Sequence, residues 1–128
     1  MAKNKEILVD TDILIKVYRG NKEKKLQVDA IRGEIAISVI TALELFQGAN
    51  SAKRVYELSK QLKAYHILHI DHTISIKALH LTRQSLPGNL LLPPDALIAA
   101  TSLIYGLDIF TDNKADFINI AGIRFYEP

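Results

Sequence analysis

The run PPDALIAATSLIYGLDIFTDN (93–113) decides the fold. Two prolines open it, and a proline in the first helical turn gives up an N–H that would lack a partner there anyway. An Ala-rich apolar segment follows and stops at Gly106, the residue type that most readily ends a helix. Leu107–Phe110 then reads as a short apolar strand, with Thr111, Asp112 and Asn113 as the turn beyond it. A helix running straight into a strand is the repeating half of an α/β domain.

The same alternation extends outward in both directions. EILVD (6–10) reads as a strand, and ILIKVYRG as a helix ending at Gly20. NKEKKLQVDAIRG is a charged helix carrying Leu26 and Ile31, closed by Gly33. EIAIS (34–38) is a second strand leading into the helical VITALELFQGA. SAKRVYELSKQLKAY places Val55, Leu58, Leu62 and Tyr65 at helical spacing, with a basic outer face. HILHI (66–70) is a third strand, DHTISIKALHLTRQSL a further helix with Asp and Thr cap candidates, and PGN (87–89) a turn. ADFINIAGIRFYEP closes the chain as a short helix and a terminal strand. The expectation is an α/β fold in three layers, a mostly parallel central sheet flanked by helices, with residues 1–128 as one domain.

Composition removes several classes of function. A chain 48% hydrophobic and 23% charged is neither disordered nor fibrous. No cysteine is present, so there is no disulfide framework and no thiolate metal site. Polar residues break every apolar stretch well short of the roughly 20 residues a bilayer span needs. The N-terminus MAKNKEILVD is basic but lacks an apolar leader core, and a cytoplasmic protein is the simplest expectation. The net charge is only +2. With five acids gathered in one pocket, the other nine would face sixteen Lys and Arg, a basic surface that suits a polyanion.

Parallel sheets place their functional crevice beyond the carboxyl ends of the strands, and that rule sorts the acids. Asp10 ends the first strand, and Glu44 lies in the helix after the second. Asp95 opens the helix before the fourth strand, while Asp112 and Asp116 follow that strand. Glu44 is the only charge in AISVITALELF (36–46). Two carboxylates ~5 Å apart repel by roughly 3 kcal/mol at an effective dielectric near 20, and a hard divalent cation relieves this. Mg²⁺ and Mn²⁺ take oxygen ligands and keep several waters, so a few acids suffice. Such a cation activates water and neutralises a phosphoryl oxygen, the needs of phosphodiester hydrolysis.

Each acid also has a structural reading. Asp12 suits a helix cap as well as a supporting role, Asp95 suits the helix dipole, and Asp112 and Asp116 suit a turn and a helix start. Their joint arrival at one rim favours the chemical reading. His66, His69 and His72 stand three apart, but they straddle a strand, where i and i+3 point to opposite faces. A histidine metal site is not expected. The lysines and arginines of the two basic helices suit solvated faces, some of them RNA contacts.

Over nearly its whole length the sequence resembles the PIN-domain ribonucleases, and within them the VapC-type toxins of toxin–antitoxin pairs. ILVDTDILI (7–15) is similar to the family's opening strand, with Asp10 at the first acid and Asp12 where Asn is more usual. ISVITALELFQGA places Glu44 at the second acid, and PDALIAATSLIYGLDIFTDNKADF places Asp95 at the third. For the fourth acid Asp116 is favoured over Asp112, with Asn113 offering a further oxygen and Thr111 the accompanying hydroxyl. The resemblance implies a Mg²⁺- or Mn²⁺-dependent endoribonuclease acting on structured RNA; Asp10 and Asp95, expected to sit deepest at the strand ends, are the candidate direct metal ligands. The resemblance also implies a homodimer and a cognate antitoxin whose tail lies in a groove walled by the basic helices at about 22–32 and 51–65.

Two other readings compete. VDTDILI also resembles the opening of haloacid-dehalogenase-type phosphatases, with Asp10 as nucleophile. No Lys stands convincingly at that family's third motif, and Glu44 and Asp95 stay unexplained. A non-enzymatic PIN-like binding module is the other, although every expected acid is present.

Overall fold

The computed structural model describes residues 6–128; the basic Lys3 and Lys5 of the N-terminus lie outside them. Four short strands form one sheet: β1 (Ile7–Val9), β2 (Ile35–Ser38), β3 (His66–Leu68) and β4 (Asp108–Phe110). Their spatial order is β3-β2-β1-β4, and every pairing is parallel. Helices α1 (Thr11–Tyr18), α2 (Lys22–Asp29), α3 (Val39–Gln47), α4 (Ala52–Leu62), α5 (His72–Ser85) and α6 (Pro93–Tyr105) make the connections. A 3₁₀ turn follows β4 at Lys114–Asp116.

Strand side chains alternate between two cores, as a pleated sheet covered on both faces requires. Leu8, Ala36 and Ile109 point to one side, against Ile74 and Ala78 of α5 and the alanines of α6. Ile7, Val9, Ile37 and Phe110 point to the other, against Ile13, Leu14, Leu45 and Leu58. The result is three layers, α5 and α6 below the sheet and α1–α4 above it. Ala96, Ala99 and Ala100 are fully or nearly buried, and their small side chains let α6 approach the strands closely.

α6 hands over to β4 through Gly106, whose φ of 67° lies in the left-handed region that closes helices. Ser102 fastens the junction, donating its hydroxyl to Leu107 O (2.7 Å) while its own carbonyl accepts from Leu107 N (3.0 Å). α2 ends earlier than its closing glycine indicates. Ala30 is its C-cap, and Gly33, at φ 105°, serves the turn into β2 instead.

Three further details differ from the sequence reading. Leu26 is 69% exposed, and Val28 anchors α2. Val55 stands outside while Leu58 and Leu62 carry the α4 contact. The expected terminal strand shrinks to a single bridge between Phe125 and Ile109, because only one residue of the tail stays alongside β4. Among the described residues no helix is long and apolar enough to cross a membrane.

The chain visits β1, β2 and β3 on one side, then crosses to lay β4 on the other flank of β1. The crevice created by such a reversal opens at the carboxyl ends of β1 and β4.

Candidate metal centre at the strand ends

Register brings the first two partners together. Val9 is paired with Phe110, so the next residues, Asp10 and Thr111, leave the sheet side by side. Asp10 N donates to Phe110 O (2.9 Å), extending the ladder by one bond. Asp10 is also the N-cap of α1, its Oδ1 accepting from Thr11 N (2.8 Å). Its Oδ2 accepts from Thr111 Oγ1 (2.8 Å), and that hydroxyl oxygen in turn accepts from Asn113 N (2.9 Å). The carboxylate is thus fixed at both oxygens, yet each keeps a lone pair.

Asp10 is only 5% exposed. Burial, then the charge of Asp12, push its carboxyl up from 3.8 to about 7. Asp12 does not start the helix, since Asp10 holds that place. It accepts instead from Ile13 N (2.9 Å) and, through Oδ2, from Asp112 N (3.0 Å). It therefore ties the loop after β4 to the first turn of α1.

Glu44 projects from the second turn of α3 and is half-buried. Thr11 Oγ1 lies 2.8 Å from Glu44 Oε1 and 2.9 Å from Thr41 Oγ1. A hydroxyl has one proton and a carboxylate can only accept. The relay must run from Thr41 to Thr11 to Glu44, each hydroxyl donating onward.

Asp95 stands in the first turn of α6, behind Leu92, an N-cap without a side-chain bond. Burial comes first among the forces on its carboxyl, followed by the charges of Asp116, Glu44 and Asp12, and together they raise it to about 6. Four elements thus aim acids at one place: the start of α1, α3, α6 and the 3₁₀ turn after β4. Asp12 connects the group electrostatically, acting on both Asp10 and Asp95.

Asp112 is turned to other partners. Its carboxylate meets Lys16 Nζ at 2.7 Å and Lys24 Nζ at 2.8 Å. Burial pushes its pKa up, but the two ammonium groups outweigh that and hold it below the usual range. Among the sequence candidates, the structure therefore gathers Asp12, Glu44, Asp95 and Asp116 around one charge centre and seats Asp10 against Asp12 and Thr111. Asp112 is engaged by lysines at the edge, and Asn113 contributes its backbone N–H.

Thr11, Thr41 and Lys16 in the site's framework escape the sequence reading, as does the pairing of Lys24, which it offers only as one lysine of a basic helix. Thr11 sits between two acids in VDTD, and Thr41 stands three before Glu44 on the same helix face, so both left a local trace. Lys16 and Lys24 left none, being 96 and 88 residues from Asp112.

Of the three histidines, His66 opens β3, His69 lies past it and His72 begins α5. His66 meets acids rather than other histidines: Glu6, Glu34 and His66 place ligand atoms within 4.8 Å of one another. Glu6 and Glu34 precede β1 and β2, so this trio lies at the opposite rim, away from the switch-point crevice. The acids at the carboxyl rim are more widely spaced than this trio.

Two depressions flank that rim. One, about 410 Å³, runs from Asp116 between the end of α5 and residues 115–121. The other, about 180 Å³, runs from Glu44 between α1, α3 and α4, past Tyr18, Arg19 and Arg54. Tyr18 Oη is buried there without a hydrogen-bond partner among the described residues.

Comparison with known proteins converges on one group. The PIN domain family matches residues 7–123. Ribonuclease VapC1 of Methanocaldococcus jannaschii is 33% identical over 125 residues, which are 95% of this chain and 88% of that protein. A toxin–antitoxin complex from Klebsiella pneumoniae contains a chain that superposes with a TM-score of 0.81 at 32% identity, covering 95% of this chain and 99% of that one. FitAcB from Neisseria gonorrhoeae matches in fold, with a TM-score of 0.79 at 23% identity over 95% and 97% of the two chains.

Proposed function

The chain belongs to the PIN-domain family, and from that premise we propose that it is a ribonuclease, the toxin of a toxin–antitoxin pair. It cuts phosphodiester bonds of structured RNA with a Mg²⁺ or Mn²⁺ ion. The observation that carries this reading is the convergence of Asp12, Glu44, Asp95 and Asp116 from four elements beside a buried, hydrogen-bonded Asp10.

The donor set fits a hard cation, being oxygen throughout. Its open spacing suits an ion that keeps part of its hydration shell. Asp10 and Asp95 would hold the ion directly, with Glu44 and Asp116 completing the pocket. When bound, the cation supplies an activated water and charge neutralisation at a phosphoryl oxygen.

The chain's own residues prepare that position. Thr111 and Thr11 N hold the Asp10 carboxylate in one orientation. The threonine relay does the same for Glu44. Asp10, raised to about 7, keeps part of its proton near neutrality and Asp95, raised to about 6, does so only in mild acid, so loading the pocket releases protons under those conditions. Lys16 and Lys24, flanking the rim at Asp112, offer positive charge to the phosphates on either side of the scissile bond.

The partners follow from the same membership. The groove from Glu44 past Arg19 and Arg54 would take the tail of an antitoxin. α4 walls that groove together with α1 and α3, whereas α2, expected as its other wall, packs its Lys24 at Asp112 instead. The exposed Ile76 of α5 and Ile104 of α6 share a surface depression, a face that would suit a second copy of the chain.

The test is cleavage of a mixed pool of structured RNA by the purified chain in Mn²⁺, Mg²⁺ or EDTA. Asp10→Asn serves as the contamination control, and a phosphate monoester is assayed in parallel. Metal-dependent RNA cleavage that disappears in the variant is the expected result. Monoester turnover without RNA cleavage would overturn the ribonuclease proposal while leaving the family membership in place.

A further inference from the structure

We infer that the cavity beyond Asp116 receives one unpaired nucleobase of the RNA and sets the sequence preference of the cut. The inference rests on the ribonuclease reading and adds to it a base-reading subsite.

Position comes first. Asp116 is common to the rim and the cavity: its charge acts on Asp95, and its side chain lines the cavity wall. A nucleotide whose phosphate lies at the rim therefore has its base at the cavity mouth. The volume of about 410 Å³ falls in the range of small-ligand pockets. That is ample for a single flipped-out base.

Chemistry then separates the two sides of the rim. Lys16, Lys24, Arg19 and Arg54 all lie on the α1–α4 side, where backbone phosphates would be steered. The cavity beyond Asp116 is lined by no lysine or arginine. Besides the Asp116 carboxylate at its mouth, its polar groups are the carboxamides of Gln84, Asn89 and Asn119 and the hydroxyl of Ser85, alongside the apolar Leu81 and Ile120. Ser85 Oγ already donates to Thr82 O at 2.8 Å. The carboxamides are left as the reading edge. Each offers a donor and an acceptor on one planar group, the pattern that matches a base edge and not a phosphate. Bases splayed from loops and bulges are the part of structured RNA that proteins read in this way.

The walls are also preformed. Asn89 N donates to Ser85 O (2.8 Å), holding the turn after α5 in place. On the other side Ile118 N donates to Lys114 O (2.9 Å) and Ile120 N to Phe117 O (3.0 Å), with Phe117 fully buried beneath. A wall whose backbone is already fixed leaves less ordering to oppose binding.

The experiment uses RNA hairpins with randomised loops, cut in Mn²⁺ by the wild type and by Gln84→Ala, Asn89→Ala, Asn119→Ala and Asn119→Asp, with the new ends sequenced. Each variant's melting temperature is measured with and without Mg²⁺. The wild type should favour one base at a fixed position beside the cut. The alanine variants should relax that preference by about 10-fold while keeping the metal-induced shift. Asn119→Asp, which keeps acceptors and loses donors, should change the preferred base. If the wild type cuts and every variant keeps its sequence profile, the inference fails and the ribonuclease reading stands. A uniform loss of rate with an unchanged profile overturns it equally. A wild type that cuts no RNA removes both.

Discussion

Asp112 and Asp116 are four residues apart and meet opposite surroundings. Asp112 is clamped by Lys16 and Lys24, while Asp116 presses its charge on Asp95. Replacing Asp116 by Asn removes an acid from the pocket. Replacing Asp112 by Asn frees two lysines and leaves the Asp12 bond to its backbone N–H intact. Asp116→Asn is therefore expected to lower kcat/KM for RNA by about 100-fold or more, and Asp112→Asn by less than about 10-fold. Steady-state cleavage of one mapped RNA by the two variants decides it, and equal losses would put both acids in the chemistry. The pattern TDNKAD could show that oxygens cluster after the strand. It could not show which faces the pocket, because the choice is made by lysines on two distant helices.

Elements were more legible than partners. Each strand and helix leaves a local trace: β-branched runs for β1 and β2, a proline start and glycine stop for α6, a serine cap for α4. With the strands read, the carboxyl-end rule pointed to Asp10, Glu44 and Asp95, whereas the strand order that makes the switch point has no local signal. Boundaries and outward faces were harder, as Leu26 and Val55 show, since a short charged helix has no period long enough to mark its buried side. The joint between α1 and α3 is the case where element and site coincide. Thr11 serves both helices, passing Thr41's hydrogen bond on to Glu44. Thr11→Val keeps the shape and deletes the relay, leaving Thr41 and Glu44 without their shared partner. The expected cost is about 1–3 kcal/mol in denaturant unfolding, together with roughly 10-fold weaker Mg²⁺ binding by titration. Unchanged metal affinity with lost stability would make the relay a packing device alone.

At the scale of the whole molecule, the acids set stability against function. Asp10 holds its proton more tightly in the folded chain, where its pKa is about 7 against the ordinary 3.8. Its contribution to stability is therefore fully present below about pH 4 and lost as pH rises through about 7. Asp95 acts in the same direction up to about pH 6. Asp112, held low by its lysines, works oppositely: its contribution is present above the ordinary carboxylate range and lost only in stronger acid. In EDTA, the melting temperature of Asp10→Asn should rise relative to wild type between pH 4 and 7 and level off beyond. The rise from 3.8 to about 7 corresponds to about 4 kcal/mol, a gap of about ten degrees or more. Thr111 can turn its hydroxyl to accept from the new amide, so the variant keeps its fold. Adding Mg²⁺ or Mn²⁺ should narrow the gap from the other side. A ligand at a hundredfold excess over its dissociation constant stabilises the folded state by about 2.7 kcal/mol, and the wild type alone retains the full acid set to receive it. Melts of both proteins across that pH range, with and without metal, read the two effects separately. A variant that melts below wild type at every pH would make the Asp10 carboxylate a structural keystone of the β1–β4 junction, and a wild type indifferent to millimolar metal would leave the rim without its ion.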